Sequence, residues 1–436
     1  MKISFISLGC SKNRVDSEFI MGMLVASGHR IIDDHHQADA IFVNTCGFIT
    51  PAKQEAIDTI LDMASIKEKT HAKLVVLGCL AQRYLDELVL EMPEVDRFIT
   101  LDEYDHLHQI LTQKLNIPVN VRYKQATRMH SVETYLGYLK ISEGCSNNCS
   151  FCAIPLIRGR YRSYPMEELI QQTLHMVDHG VKEIVLVAQD STMYGMDLYR
   201  KPSLVDLIRK LNDIEGLRWI RVLYLYPDLL TPSMIRSLAT IEKFIPYFDI
   251  PIQHTQDKIL KDMKRRGNSQ QIIDLMDTIR QTFNDAVIRT TVIVGYPTET
   301  ENDFQGMLTF IQQHPFDKLG AFTFFKEEDT EAFELDDLDP TIKSARYDRL
   351  ISTQSEILNQ QKQRLIFKEI EVVVDKVDMI TKTAKTRSKY HAPDDIDGYV
   401  YVTLKDDVTV GDFIYCVIDD VYRNNWYATQ IIKETI

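Results

Sequence analysis

Eight consecutive residues, Cys145-Ser146-Asn147-Asn148-Cys149-Ser150-Phe151-Cys152, carry the densest chemistry in the chain. Their spacing, C-x3-C-x2-C, puts three thiols on one tight loop. Gly144 and the Asn147-Asn148 pair suit that loop, because glycine and asparagine tolerate positive φ. Zinc is the first alternative, but a closed zinc site takes four ligands in tetrahedral array. The nearest histidines, His130 and His175, are far away in sequence. Three thiolates fit better with an iron–sulfur cluster whose fourth iron stays open to a substrate or cofactor.

Three more cysteines stand apart in the first third of the chain. Cys10 follows the apolar run Ile3–Leu8, Cys46 follows Ile41–Val43, and Cys79 follows Leu74–Leu77. A lone buried cysteine is usually core filler. Three at equivalent strand ends are different, since ligand sites of open α/β sheets form at that edge. The expectation is a second cluster held by Cys10, Cys46 and Cys79.

The elements needed to position these residues can be read along the chain. Over residues 1–118, strand patterns Lys2–Leu8, Ala40–Asn44 and Lys73–Leu77 alternate with helical ones. The helices are Val15–Ala26, a segment from Thr50-Pro51 to about Lys69, and Ala81–Glu91. That alternation predicts a doubly wound parallel sheet. Residues 116–129 read as a linker. Residues 135–366 give six strands, Tyr138–Ile141, Glu183–Val187, Trp219–Leu225, Phe248–Ile252, Ala286–Val294 and Leu319–Phe325. These suit an open (β/α)6 partial barrel with the Cys145 loop after its first strand. A polar helix, about Thr341–Phe367, leads into residues 367–436. There the short strands Ile370–Val374, Gly398–Val402 and Phe413–Val417 predict a small antiparallel barrel. The whole is α/β in class. Cys416 lies within a strand and reads as core.

The loop Cys145–Cys152, with Phe151 before its last cysteine, resembles the radical S-adenosylmethionine signature. The resemblance implies that Cys145, Cys149 and Cys152 bind a four-iron–four-sulfur cluster. S-adenosylmethionine would chelate its open iron and be cleaved to a 5′-deoxyadenosyl radical, with Phe151 close by. Leu8-Gly9-Cys10-Ser11-Lys12-Asn13, Asn44-Thr45-Cys46-Gly47-Phe48-Ile49 and Gly78-Cys79-Leu80-Ala81-Gln82-Arg83-Tyr84 resemble the cysteine motifs of the methylthiotransferases. In that family they bind an auxiliary four-iron–four-sulfur cluster that delivers sulfur. Lys12-Asn13, Asp16-Ser17-Glu18 and Cys46-Gly47-Phe48-Ile49 resemble its RimO branch, which modifies a ribosomal protein, rather than its tRNA-modifying MiaB branch. The terminal barrel resembles a TRAM domain, and His391–Gly398 again resembles the RimO branch.

Other polar strand ends resemble family positions around the cofactor: Gln189 with Asp190, His254, and Gly295 through Glu299. Gly295 would let a backbone approach the ligand. Arg289 needs a partner, either a cofactor carboxylate or a buried salt bridge. Asp190 could hold a ribose hydroxyl or cap a turn, and polar packing is the default for His254. Arg158, Arg160 and Arg162 follow the loop and suit an anionic substrate or a solvated face. The stretch Lys261, Lys264, Arg265 and Arg266 reads as an exposed helix end.

Composition narrows the partner. The chain has 436 residues, 44% hydrophobic and 26% charged, with a net charge of −13. The charge argues against broad contact with nucleic acid and fits a basic partner. Residues 367–436 hold nine basic and thirteen acidic residues, whereas a barrel built for RNA should carry a basic face. Seven cysteines without a signal-peptide layout favour metal binding over disulfides and fit a cytoplasmic location. No apolar run reaches membrane length, so no membrane partner is expected. The resemblance implies a methylthio group placed on the β-carbon of an aspartate in small-subunit ribosomal protein twelve. It also implies an electron donor and a sulfur source. The alternatives are a tRNA methylthiotransferase and a non-catalytic iron–sulfur scaffold on the ribosome.

Overall fold

A computed structural model describes residues 1–132, 134–362, 364–422 and 425–432. The first sheet has five parallel strands, β1 (Lys2–Ser7), β2 (Arg30–Ile32), β3 (Ala40–Thr45), β4 (Lys73–Gly78) and β5 (Arg97–Ile99). Their order is β2-β1-β3-β4-β5. All six residues of β3 are buried, as expected of a parallel strand covered on both faces. Helices α1 (Ser11–Ala26), α2 (Thr50–Thr70), α3 (Cys79–Arg83), α4 (Leu85–Glu91) and α5 (Leu107–Leu115) supply the covers. One core joins Ile20 and Leu24 of α1 to Leu107 and Leu111 of α5; another joins Ile60 of α2 to Leu88 of α4. The chain therefore leaves β1 toward one face and β3 toward the other. That divergence opens a crevice beyond the ends of these two neighbouring strands.

The sequence reading differs here in detail. The first helix begins at Ser11, directly after Cys10, not at Val15. The expected helix Ala81–Glu91 is two helices, broken at Tyr84 with φ −128° and ψ 33°. The three-residue strands β2 and β5 are too short to show a period.

The second sheet is β6 (Leu136–Lys140), β9 (Glu183–Val187), β10 (Trp219–Val222), β11 (Phe244–Asp249), β12 (Val287–Val294) and β13 (Lys318–Thr323). Its order is β13-β12-β11-β10-β9-β6, parallel throughout and unclosed, which is the expected (β/α)6 form. Between β6 and β9 a small ribbon of β7 (Ser142–Glu143) and β8 (Arg162–Ser163) brackets the cysteine loop and α6 (Ile154–Arg158). Strand β11 lies earlier than the expected Phe248–Ile252. Beyond Asp249 the chain still bonds to β12, Ile250 N–H to Arg289 O at 2.8 Å, but it bends away at Gln253, φ +71°.

Strands β14 (Glu369–Asp378), β15 (Thr383–Ser388), β16 (Val400–Thr403), β17 (Phe413–Tyr422) and β18 (Asn425–Ile431) close into a barrel, ordered β14-β15-β16-β18-β17. It fits a TRAM domain. Only β16 and β18 run parallel. Cys416 is fully buried in its core, as expected.

The partial barrel does not fill its own interior. Val15 and Phe19 of α1 enter it, and so do Val373 and Ala392 of the terminal barrel. They share one cluster with Tyr138, Val185, Leu223 and Tyr247. Beside them, Glu183 is held by Arg221 and Arg387, both at 2.9 Å. Burial alone would raise the Glu183 carboxyl, but the two guanidiniums hold it below the usual range.

Candidate active site

Cys10, Cys46 and Cys79 stand just past β1, β3 and β4, as expected, and the structure brings them together. Charge on Cys79 and on Cys10 both bears on Cys46. A Cβ at Gly9, whose φ is +86°, would lie 2.8 Å from Cys46 Cβ. Glycine there lets Cys46 close on the backbone beside Cys10. Asn13 ties the three strand ends. Its Nδ2 donates to Leu8 O at 3.0 Å and Thr45 O at 2.9 Å, and its Oδ1 accepts from the Cys79 thiol at 3.5 Å.

The second trio lies on the loop between β7 and α6. Cys145 N–H donates to Gly159 O, and Cys152 N–H to Cys149 O, both at 3.1 Å. Gly144 has φ +74°, and a Cβ there would meet Gly159 O at 2.6 Å, so this position needs glycine. Asn148 takes φ +50°. Ser150 Oγ donates to Asp262 O at 2.9 Å, pinning the loop to the segment after β11. Phe151 packs on Ile259, Met263, Tyr296 and Phe324.

A buried charge network joins the two trios. Arg158, at the end of α6, places Nη1 2.8 Å from Asp16 and 3.1 Å from Glu143. Its Nη2 bonds Asn13 Oδ1 and lies 3.3 Å from Cys79 Sγ. Lys140 bonds Asp16 and reaches Glu143 at 2.6 Å. Arg158 is thus neither a solvated face nor a substrate hook: its guanidinium is spent between the trios. Arg265 also departs from expectation. It is buried, 3.8 Å from Cys149 Sγ and over the Tyr226 ring, not at an exposed helix end.

The thiols differ in acidity. Burial pushes Cys46 and Cys152 up to about 12, and raises Cys79 and Cys145 as well. Burial also opposes ionisation of Cys10, but Lys12 and Arg158 outweigh it and lower that thiol. Among the described residues no three His, Cys, Asp or Glu side chains are grouped to hold one metal ion. A four-iron cluster asks for something else, one thiolate per iron, and each trio offers that with no fourth protein ligand in its motif. Gln189 Oε1 is buried without a hydrogen-bond partner, while its Nε2 reaches Glu143 at 3.4 Å. That free acceptor suits the ammonium of a bound methionine moiety. The residues therefore fit both groups.

The remaining polar strand ends are engaged within the protein, in the salt-bridge, turn-cap and polar-packing alternatives expected for Arg289, Asp190 and His254. Arg289 is in a salt bridge, 2.6 Å from Asp249 and 3.9 Å from Asp397. Gly295 faces Lys343, which a Cβ would meet at 2.4 Å, and its N–H donates to Glu299. Asp190 caps its own turn through Thr192 N–H at 3.1 Å and accepts from Asn147 at 2.8 Å. His254 is packed against Glu299 at 3.1 Å. Sequence reading missed Glu143, Lys140 and Arg265; two charged residues flanking the first apolar strand were the available signal for the first two.

Two trios of thiols, one of them on a loop leaving an open parallel barrel, define a radical S-adenosylmethionine enzyme. Residues 139–311 match the radical SAM superfamily, and residues 2–100 match the family described as uncharacterized protein family UPF0004. The chain is 42% identical to ribosomal protein uS12 methylthiotransferase RimO of Clostridioides difficile (strain 630), covering 96% of both chains. It is 43% identical to the RimO of Geobacter sulfurreducens, again over 96% of both. The solved structure of the radical S-adenosylmethionine methyltransferase TsrM from Kitasatospora setae shares the fold, with TM-score 0.55, 13% identity and 74% coverage of each chain. This chain belongs to the RimO family. It is a radical S-adenosylmethionine methylthiotransferase, and that class uses a four-iron–four-sulfur cluster with S-adenosylmethionine. The non-catalytic scaffold is thereby excluded. No helix of the described residues is long and apolar enough to cross a membrane.

Proposed function

We propose that this enzyme places a methylthio group on the β-carbon of an aspartate side chain in small-subunit ribosomal protein uS12. The observation that carries the reading is similarity over nearly the full chain to enzymes named for that protein. The terminal barrel supports it: Asp406, Asp407, Asp419 and Asp420 are all exposed, an acidic surface for a basic protein. Residues 1–118, 135–366 and 367–436 act as sulfur-donating, radical-generating and docking units. Cys145, Cys149 and Cys152 hold the radical-site cluster, with Phe151 and Gln189 beside S-adenosylmethionine. Cys10, Cys46 and Cys79 hold a second four-iron–four-sulfur cluster. An electron donor and a sulfur source complete the requirements.

When bound, these groups supply a radical able to take hydrogen from an unactivated carbon, and sulfur to replace it. The protein's own part is placement. Asn13 and Arg158 fix the second trio against α6, and so against the radical loop. The Asp16–Glu143–Lys140–Arg158 network ties the elements that carry the two trios to one another.

The test is reconstitution under anaerobic, reducing conditions with S-adenosylmethionine, offered uS12 or a tRNA anticodon stem. Mass spectrometry should find the methylthio mass on an aspartate of uS12. The Cys149→Ala variant should give none. Modification of the tRNA alone would overturn the reading.

A further inference from the structure

Most buried cations at this junction are paired with carboxylates; Lys12 and Arg265 are not. Lys140 and Arg158 share Asp16 and Glu143, Arg128 meets Glu18 at 2.8 Å, and Arg221 and Arg387 share Glu183. Lys12 is 7% exposed, yet among the described residues no carboxylate pairs with it. Its Nζ has the Ala188 carbonyl at 3.5 Å and the face of the Tyr224 ring at 3.5 Å from the centroid. An ammonium carries three donors. Its charge also bears on the Tyr224 side chain and the Cys10 thiol, but no carboxylate answers it, and a buried charge without a full partner is costly.

Its position says which anion. Lys12 is two residues past Cys10, so its stem starts at the second trio. Its tip ends beside Ala188 and Tyr224, which follow β9 and β10 at the strand ends where the radical loop also sits. A carbon that loses hydrogen to the radical site and gains sulfur from the second trio must lie between them. In an aspartate side chain the carboxylate is bonded directly to the β-carbon. An ammonium at this spot therefore meets the carboxylate when the β-carbon is in place.

We propose that Lys12 binds the carboxylate of the substrate aspartate and selects it over uncharged side chains. This rests on the aspartate reading above. Lys12 is then a specificity residue, and asparagine in the same position would leave its charge unmet.

The experiment uses reconstituted holoenzyme with S-adenosylmethionine, uS12, and uS12 whose target aspartate is asparagine. Wild type should bind the aspartate form about tenfold tighter or more, the scale of a desolvated charge pair. Lys12→Gln should bind both forms alike, and Lys12→Arg should recover much of the preference. If Lys12 only balances charge on the second cluster, Lys12→Gln will change iron content or visible absorption and keep the preference, which overturns the proposal. A wild-type enzyme without preference overturns it too, and needs no variant to fold. If wild type binds and modifies tRNA but not uS12, the functional reading itself has failed; if it modifies uS12 while Lys12→Gln keeps the preference, only this proposal has.

Discussion

At the scale of single residues, Arg158 does the most with one side chain. It satisfies Asp16, Glu143 and Asn13 at once and touches a cysteine of the second trio. Replacing it by Met leaves two buried carboxylates facing one lysine. Breaking a buried ion network in this way costs about 3–5 kcal/mol. Chemical denaturation of the apoprotein should show that loss. Arg158→Lys should recover little of it, because a lysine cannot bond Asp16, Glu143 and Asn13 from one planar fork. Sequence pattern could not have isolated this role. Arg158, Arg160 and Arg162 look alike along the chain, yet Arg160 and Arg162 are exposed and Arg158 is buried. The turn at Gly159, φ +72°, ends α6 and sends the first arginine inward. The six cysteines were legible because their spacing and their places after apolar runs are local signals. Partners that meet across about 140 residues, such as Asp16 and Arg158, leave no local signal.

At the scale of elements, α1 is the hinge of the design. It starts at Cys10, carries Lys12, Asn13 and Asp16 to the junction, and pushes Val15 and Phe19 into the partial barrel. Its weak amphipathic pattern follows from burial on several sides: Lys12, Asn13, Asp16, Ser17 and Glu18 are all buried. That is why sequence periodicity placed its start too late. Gly22 shows how closely the next segment covers it, since a Cβ there would lie 2.1 Å from Thr127 O. Gly22→Val should force the 116–129 segment off the helix and destabilise the protein by about 1–3 kcal/mol, the usual cost of overpacking. Thermal unfolding should report it. Strands β9 and β12 were readable from their apolar runs. Strands β15 and β18 were not, because Thr383–Ser388 and Asn425–Ile431 mix polar residues into a small barrel with little core.

At the scale of the whole molecule, the terminal barrel is locked to the partial barrel by buried charge. His391 sits uncharged beside that network: its Nδ1 meets Ser388 Oγ at 2.8 Å and its ring packs edge-on against Trp426. Burial first, then Lys318, Arg221 and Arg387, push its pKa well below 6.5. The folded state keeps it neutral while an unfolded chain would take up a proton, so its stabilisation is full above about pH 6.5 and falls as the solution is acidified. Glu183, also depressed, adds a further loss as pH falls below the ordinary carboxylate range. The apparent melting temperature should drop between pH 7.5 and 5.5, and His391→Asn should flatten that drop. A wild-type profile flat over this range would contradict the assignment. The plugged interior also has a consequence for synthesis. The three cysteines of the first sheet have all been made by residue 79, and the radical loop by residue 152, but Ala392 and the rest of the inner plug emerge last. A chain still on the ribosome therefore presents both cysteine trios before the plug of the partial barrel exists.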